Sequence, residues 1–140
     1  MFVMKIHKLK PQTFEKIDYT LLILRLGLGL VFIYFAFDKF FNVQGYIATF
    51  KTLGVPEMFA SSFYVIAFGA IEFIIALNLL AGWQTKLVSF AATLVILAIV
   101  LTFWLRTGEI LVRDIGLITM ALALILLGPG RFSIKRFLSQ

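Results

Sequence analysis

There is no cysteine anywhere in the 140 residues. That excludes disulfides, thiol redox chemistry and thiolate metal sites within this chain, and it leaves the compartment unmarked by cysteine usage. Histidine is almost as scarce. His7 is the only one, and it stands in the N-terminal segment, outside every apolar run. A haem held by His inside a helical bundle would find no ligand here. No His/carboxylate group has metal-site spacing, so the expected metal complement is none. A Gly-rich phosphate loop and a nucleophile–base pair are missing too, which leaves no residue to name as catalytic. Charge is also sparse: 14% of residues are Asp, Glu, Lys or Arg, against roughly a quarter in ordinary soluble domains.

Apolar residues fill the space. They make up 61% of the chain, and 16 are Phe. A single domain this short cannot hide that much apolar surface in a water-soluble core, so a lipid bilayer must cover it. Four apolar stretches are expected to cross it, at about 19–37, 61–81, 87–105 and 110–127. They are continuous rather than alternating, which favours helices over a barrel. The expected fold is therefore all-α: one domain over 1–140, an integral membrane four-helix bundle. Gly82-Trp83-Gln84-Thr85-Lys86 reads as a tight turn, and Gly128-Pro129-Gly130 as a helix stop. Phe40, Val43, Ile47 and Phe50 recur at helical spacing in 40–53, predicting a short amphipathic helix on the outer surface after the first span. No small-residue cleavage site follows the basic segment 1–12, so the first apolar run reads as a retained span.

Basic residues set the orientation. Lys5, Lys8, Lys10, Lys16, Lys86, Arg131, Lys135 and Arg136 fall on one side, and Lys39, Lys51, Arg106 and Arg113 on the other. The asymmetry puts both termini in the cytoplasm and the protein in the cell membrane. The net charge of +6 does not indicate nucleic acid, because the basic residues flank spans instead of lining a soluble face. The basic, apolar tail 131–138 is expected to rest on anionic headgroups.

The charges inside the apolar stretches are the candidate functional residues, since an ionisable group at that depth costs about 2.5–3.5 kcal/mol and needs a partner or a role. Glu72 stands mid-span, flanked by Gly69 and Ala76 on one face. Side chains lean toward the N-terminus of their helix. Lys39, at the outer end of the first span, therefore leans toward Glu72, whereas Arg25 leans away from it. Asp38, Lys39, Glu72, Arg113 and Asp114 are expected to form one outer polar cluster with Glu72 as its floor. Its role is open between a structural interlock, a ligand site and ion or proton conduction. Arg25 is expected to snorkel to inner headgroups, with hydrogen bonds to interhelical carbonyls as the alternative. Asn78 reads as an interhelical hydrogen bond, Gly27 and Gly29 as packing notches, and the uncharged third span as filler or lipid-facing wall.

Several motifs resemble the DoxX family of small four-span membrane proteins. They are Arg25-Leu26-Gly27-Leu28-Gly29 followed by Asp38-Lys39-Phe40; Leu53-Gly54-Val55-Pro56; Gly69-Ala70-Ile71-Glu72; the turn Leu79 to Lys86; Arg113-Asp114-Ile115-Gly116; and Gly128-Pro129-Gly130-Arg131-Phe132-Ser133. Phe35-Ala36 replaces a His-Gly pair carried by many members, and Lys135 replaces an acid. The resemblance implies an accessory or quinone-interacting subunit of a membrane redox system, and it adds weight to Arg25, Lys39 and Glu72. On that reading no cofactor is intrinsic, quinone is the ligand, and the partners are the lipid bilayer, a membrane or soluble redox protein, or further copies of the chain. Any enzymatic activity would be that of an oxidoreductase subunit working with its partner. The alternatives are a non-catalytic packing or assembly protein and a small transporter or channel.

Overall fold

The computed structural model describes residues 11–109 and 111–138. Helix α1 spans Pro11–Phe41, α2 Val43–Thr52, α3 Ser62–Ala81, α4 Thr85–Thr107, α5 Val112–Leu127 and α6 Ile134–Phe137. No strand occurs among the described residues. The expectations for Lys5, His7, Lys8 and Lys10, and for the side chains of Lys135 and Arg136, fall outside them.

Three helices are long and apolar enough to cross a membrane: α1, α3 and α4. The fourth expected span is shorter than a crossing helix should be. At 1.5 Å per residue the 16 residues of α5 cover about 24 Å, against ~30 Å of hydrocarbon. Arg113 and Asp114 fall in its first turn, so its uncharged part is shorter still. Helix α1 runs past both ends of the apolar stretch at 19–37. Its 31 residues reach about 46 Å, because Pro11 stands at the first helical position, where proline is tolerated, and no Pro or Gly interrupts 12–18 or 38–41. The expected amphipathic helix over 40–53 breaks at Asn42, whose φ of −121° and ψ of 43° are not helical. Phe40 and Phe41 therefore end α1, and the separate α2 has no fully buried residue.

The four long helices α1, α3, α4 and α5 expose mostly apolar residues, and the stripe each buries includes polar groups. On α1 that stripe is Leu21, Arg25, Leu28, Phe32, Ala36 and Lys39, spaced by three and four residues as one helix face requires. On α3 it is Val65, Gly69, Glu72, Ala76 and Leu79; on α5 it is Asp114, Leu117, Ala121 and Leu124. Helix α4 buries small residues, Thr85, Ser89 and Ala92, before Ile96. The outward faces carry Ile23, Leu30, Phe63, Ile74, Leu87, Leu105 and Leu126, all more than half exposed, as expected where lipid replaces water.

Small residues let the backbones approach, as in other membrane helix pairs. Gly27 and Gly29 are packing notches: an added Cβ would lie 3.2 Å from Met120 Cε and 2.9 Å from the Leu80 side chain. At Gly69 it would meet the Phe40 ring at 2.9 Å and Lys39 Cβ at 3.3 Å, whereas at Gly116 it meets nothing. Gly69→Val should therefore lower stability by about 1–3 kcal/mol through overpacking, and Gly116→Ala should leave it nearly unchanged. Thermal unfolding of both variants in detergent checks this.

Candidate functional site

Lys39 and Glu72 meet across the α1–α3 contact. Lys39 Nζ donates to Glu72 Oε2 at 2.7 Å and Oε1 at 2.9 Å. The two side chains are 8% and 2% exposed. The helix geometry explains the meeting: both residues lie on their helix's buried stripe, and the Lys39 stem reaches back along α1 toward the mid-span carboxylate. Desolvating two charges is costly, and a close pair with both carboxylate oxygens engaged offsets part of that cost. Lys39 has three N–H donors, of which Glu72 takes at most two.

A second pair lies at the start of α5. Arg113 Nε donates to Asp114 Oδ1 at 3.0 Å, with side-chain exposures of 65% and 4%. Phe35 links the two pairs. Its ring centre is 5.6 Å from Lys39 Nζ and 4.9 Å from Arg113 Cζ, both within cation–π range.

The pairs open on one cavity of about 210 Å³. Lys39, Glu72, Arg113 and Asp114 all line it. Phe32 and Phe35 of α1 form one wall; Val95, Ile96, Ile99 and Phe103 of α4 form another. The third apolar stretch is thus more than filler: it supplies the apolar side of the cavity and buries the Ser89 hydroxyl. Asp38 is the exception to the expected cluster, since it does not line the cavity. It precedes Lys39 by one residue, which places it on a neighbouring face of the helix, and it accepts a 2.7 Å hydrogen bond from Tyr46 Oη. Tyr46 does line the cavity, with Lys39 Nζ 4.8 Å from its ring centre.

Tyr46 was not among the expected site residues. The signal available was its position: it stands three residues after Val43 and four before Phe50, on the face already identified as apolar. Burial, and next the hydrogen bond to Asp38, push its phenol well above the ordinary tyrosine range. It therefore stays a neutral donor at any physiological pH.

Arg25 does not snorkel. It is 1% exposed and donates to four carbonyls: Nε to Leu79 O at 3.1 Å, Nη2 to Leu80 O at 3.2 Å, and Nη1 to Pro129 O at 2.6 Å and Phe132 O at 2.8 Å. The alternative reading, hydrogen bonds to carbonyls between helices, is the one realised. Carbonyls in the last turn of α3 are short of donors within their own helix, Leu79 O having only the cap N–H of Gly82 at 3.2 Å, and the guanidinium serves two of them. Gly82 follows at φ 72°, and a Cβ there would strike Arg25 and Ser133 within 2.8 Å. Asn78 also departs from expectation. Its Nδ2 donates to Ile74 O within α3, the carbonyl one turn back being closer than any neighbouring helix.

Chemically, the cavity can hold a small molecule by its oxygen atoms while excluding water on the α4 side. Removing one member of the buried pair should be costly: Lys39→Met should destabilise by about 3–5 kcal/mol by stranding Glu72, and Lys39→Met with Glu72→Leu should recover most of that. Denaturant unfolding of the singles and the double checks it. A raised phenol pKa contributes stability fully below the unfolded value of 10.0, and the contribution is lost as pH climbs through the folded value. The stability gap between wild type and Tyr46→Phe should therefore shrink above pH 10, read by thermal melts across pH.

A family model described as DoxX matches residues 20–105. No curated protein and no solved structure matches. The matched stretch holds Arg25, Asp38, Lys39, Tyr46 and Glu72 and stops before Arg113 and Asp114, which stand on geometry. It covers more than half of the sequence and follows α1 through most of α4, the helices that carry the Lys39–Glu72 pair, and on that match the chain belongs to the DoxX family.

Proposed function

We propose that this protein is a quinone-interacting accessory subunit of a membrane redox system. The observation that carries the reading is the cavity in which two ion pairs from α1, α3 and α5 face an apolar wall from α4. Ligand sites commonly combine an apolar lining with a few convergent polar groups. A volume of about 210 Å³ suits one ring-sized headgroup, with its apolar tail outside in the lipid.

The residues fit such a group. Lys39 and Arg113 retain N–H donors for two carbonyl oxygens, and Phe35 between them offers a flat face. Glu72 and Asp114 are placed to hold or give up a proton at their carboxylate oxygens, while Phe32, Val95, Ile96 and Ile99 keep water out. A bound quinone supplies the capacity to carry two electrons and two protons. The electrons must come from a partner, membrane-bound or soluble, because the chain has no thiol to transfer them.

In this proposal α5 completes a fourth crossing. Its shortfall in length is within reach of local thinning, at fractions of a kcal/mol per Å of mismatch. Its buried stripe begins with Asp114, so its charged turn faces protein instead of lipid. Four crossings put both termini on one side, and the basic residues make that side cytoplasmic. Helix α2 then lies on the outer surface.

A specific observation favours a second reading, a non-catalytic packing or assembly protein. Both Glu72 oxygens are engaged by Lys39, as a pure interlock between α1 and α3 would require.

Binding of a short-chain quinone to the purified protein, measured in detergent, separates the two. Wild type should bind, and Glu72→Gln and the exposed Arg113→Gln should each weaken binding by about tenfold. No binding, or equal binding by all three proteins, overturns the quinone reading. A Glu72→Gln protein that loses stability or oligomers while Arg113→Gln behaves as wild type would favour the interlock.

A further inference from the structure

The second opening in the molecule lies at the other end, far from the Lys39–Glu72 pair along α1. It is an open groove of about 420 Å³ between α1, the end of α3 and the segment after α5. Arg25, Arg131 and Ser133 supply its polar lining, and Leu22, Leu80 and Phe137 are among its apolar walls.

Two buried groups in this lining have hydrogen-bonding capacity left over. Arg25 has five N–H donors, and the four carbonyls use four of them. The fifth, on Nη2, has no acceptor among the described residues. All seven acidic side chains of the chain lie among those residues, and the ion pairs they form there are those of Lys39 and Arg113. Arg25 thus has carbonyls but no carboxylate. Ser133 is 7% exposed, and its Oγ has no partner among the described residues. A buried hydroxyl without a partner is costly, and in native structures such a group calls for a ligand or water.

The charge at this end favours an anion. The carbonyl end of α3 carries roughly half a negative charge, which the full charge of Arg25 exceeds. Arg131 is exposed at the rim, and its backbone N–H is fixed by Asp18 Oδ1 at 2.8 Å. Neither Asp18 nor Glu15, the acids on this end of α1, lines the groove. Tyr19 and Phe132 pack at 5.0 Å between ring centres and hold the segment in place. The apolar walls distinguish the groove from a site for a free ion. Phe137 is 80% exposed and Leu138 66%, an arrangement suited to acyl chains beside a headgroup.

We propose that this groove binds a phosphate group, presented by an anionic glycerophospholipid, with Ser133 Oγ and the spare Arg25 N–H donating to it and Arg131 closing over it. The groove is independent of the outer cavity, so this site stands whether or not that cavity takes a quinone.

Native mass spectrometry of the full chain in mild detergent tests it, with phosphatidylglycerol and phosphatidylcholine titrated separately. Phosphatidylglycerol should be retained preferentially, and Ser133→Ala and Arg131→Gln should each weaken retention by about tenfold, one charge-assisted hydrogen bond's worth. Neither substitution touches the Arg25–carbonyl contacts, and unfolding temperature without lipid verifies that the fold is intact. Competition by millimolar inorganic phosphate would support the same site with free phosphate as an occupant; indifference to it would support the lipid. Equal retention of the two lipids, or retention unchanged in both variants, overturns the proposal.

Discussion

The Lys39–Glu72 ion pair sets the arrangement of the helices around it. A charge on the buried stripe of a membrane helix must be met from a neighbouring helix, and it can be met in only one register. Once Lys39 Nζ sits within 2.9 Å of both Glu72 oxygens, the depth and rotation of α3 against α1 are fixed. Gly69, three residues before Glu72, then faces Lys39 and Phe40, where no larger residue would fit. The same constraint points the ammonium at Phe35 and Tyr46 and so defines the wall of the cavity.

Helix α1 carries two buried cations and satisfies them in different ways. Lys39 is a point charge and meets a carboxylate. Arg25 is planar with donors on three nitrogens, and it gathers carbonyls from two separate segments. The distinction follows from what each neighbourhood offers. Mid-span backbone carbonyls are taken by their own helices, so a side-chain acid is needed there. Helix ends expose carbonyls with no intrahelical donor, and a guanidinium can serve several at once. Exchanging the two residues would leave each with a partner of the wrong shape.

Much of this was legible in the sequence because membrane helices leave few choices. Arg25, Lys39, Glu72 and Asp114 are recognisable as odd residues in apolar runs, and the lean of helical side chains correctly pairs Lys39 with Glu72. What escaped was information carried by loops and ends. Arg25 leans away from Glu72 as expected, but its partners at Pro129 and Phe132 lie in a segment whose path no periodicity encodes. Tyr46 was hidden by a break at Asn42, which turns α2 so that one side chain reaches over the cavity. Asp38 was grouped with the ion pairs because it is Lys39's neighbour in sequence, although adjacent helix positions face different directions. Helix α1 outruns the expected span because hydropathy marks where lipid could begin, not where hydrogen bonding stops.

The contacts of Arg25 also bear on the order in which the chain is made. Two of its four acceptors, Pro129 and Phe132, come 104 and 107 residues after it, and the other two 54 and 55. While the first helix is leaving the ribosome, this guanidinium has none of them. It gains two when α3 is inserted and the rest only after α5 has been synthesised. Until then the cheapest place for the charge is the nearer headgroup layer, where snorkelling serves it well. The residue that ends as an internal clasp is thus the one whose partners are the last to arrive, and its two final bonds tie the segment after α5 back to the start of the bundle.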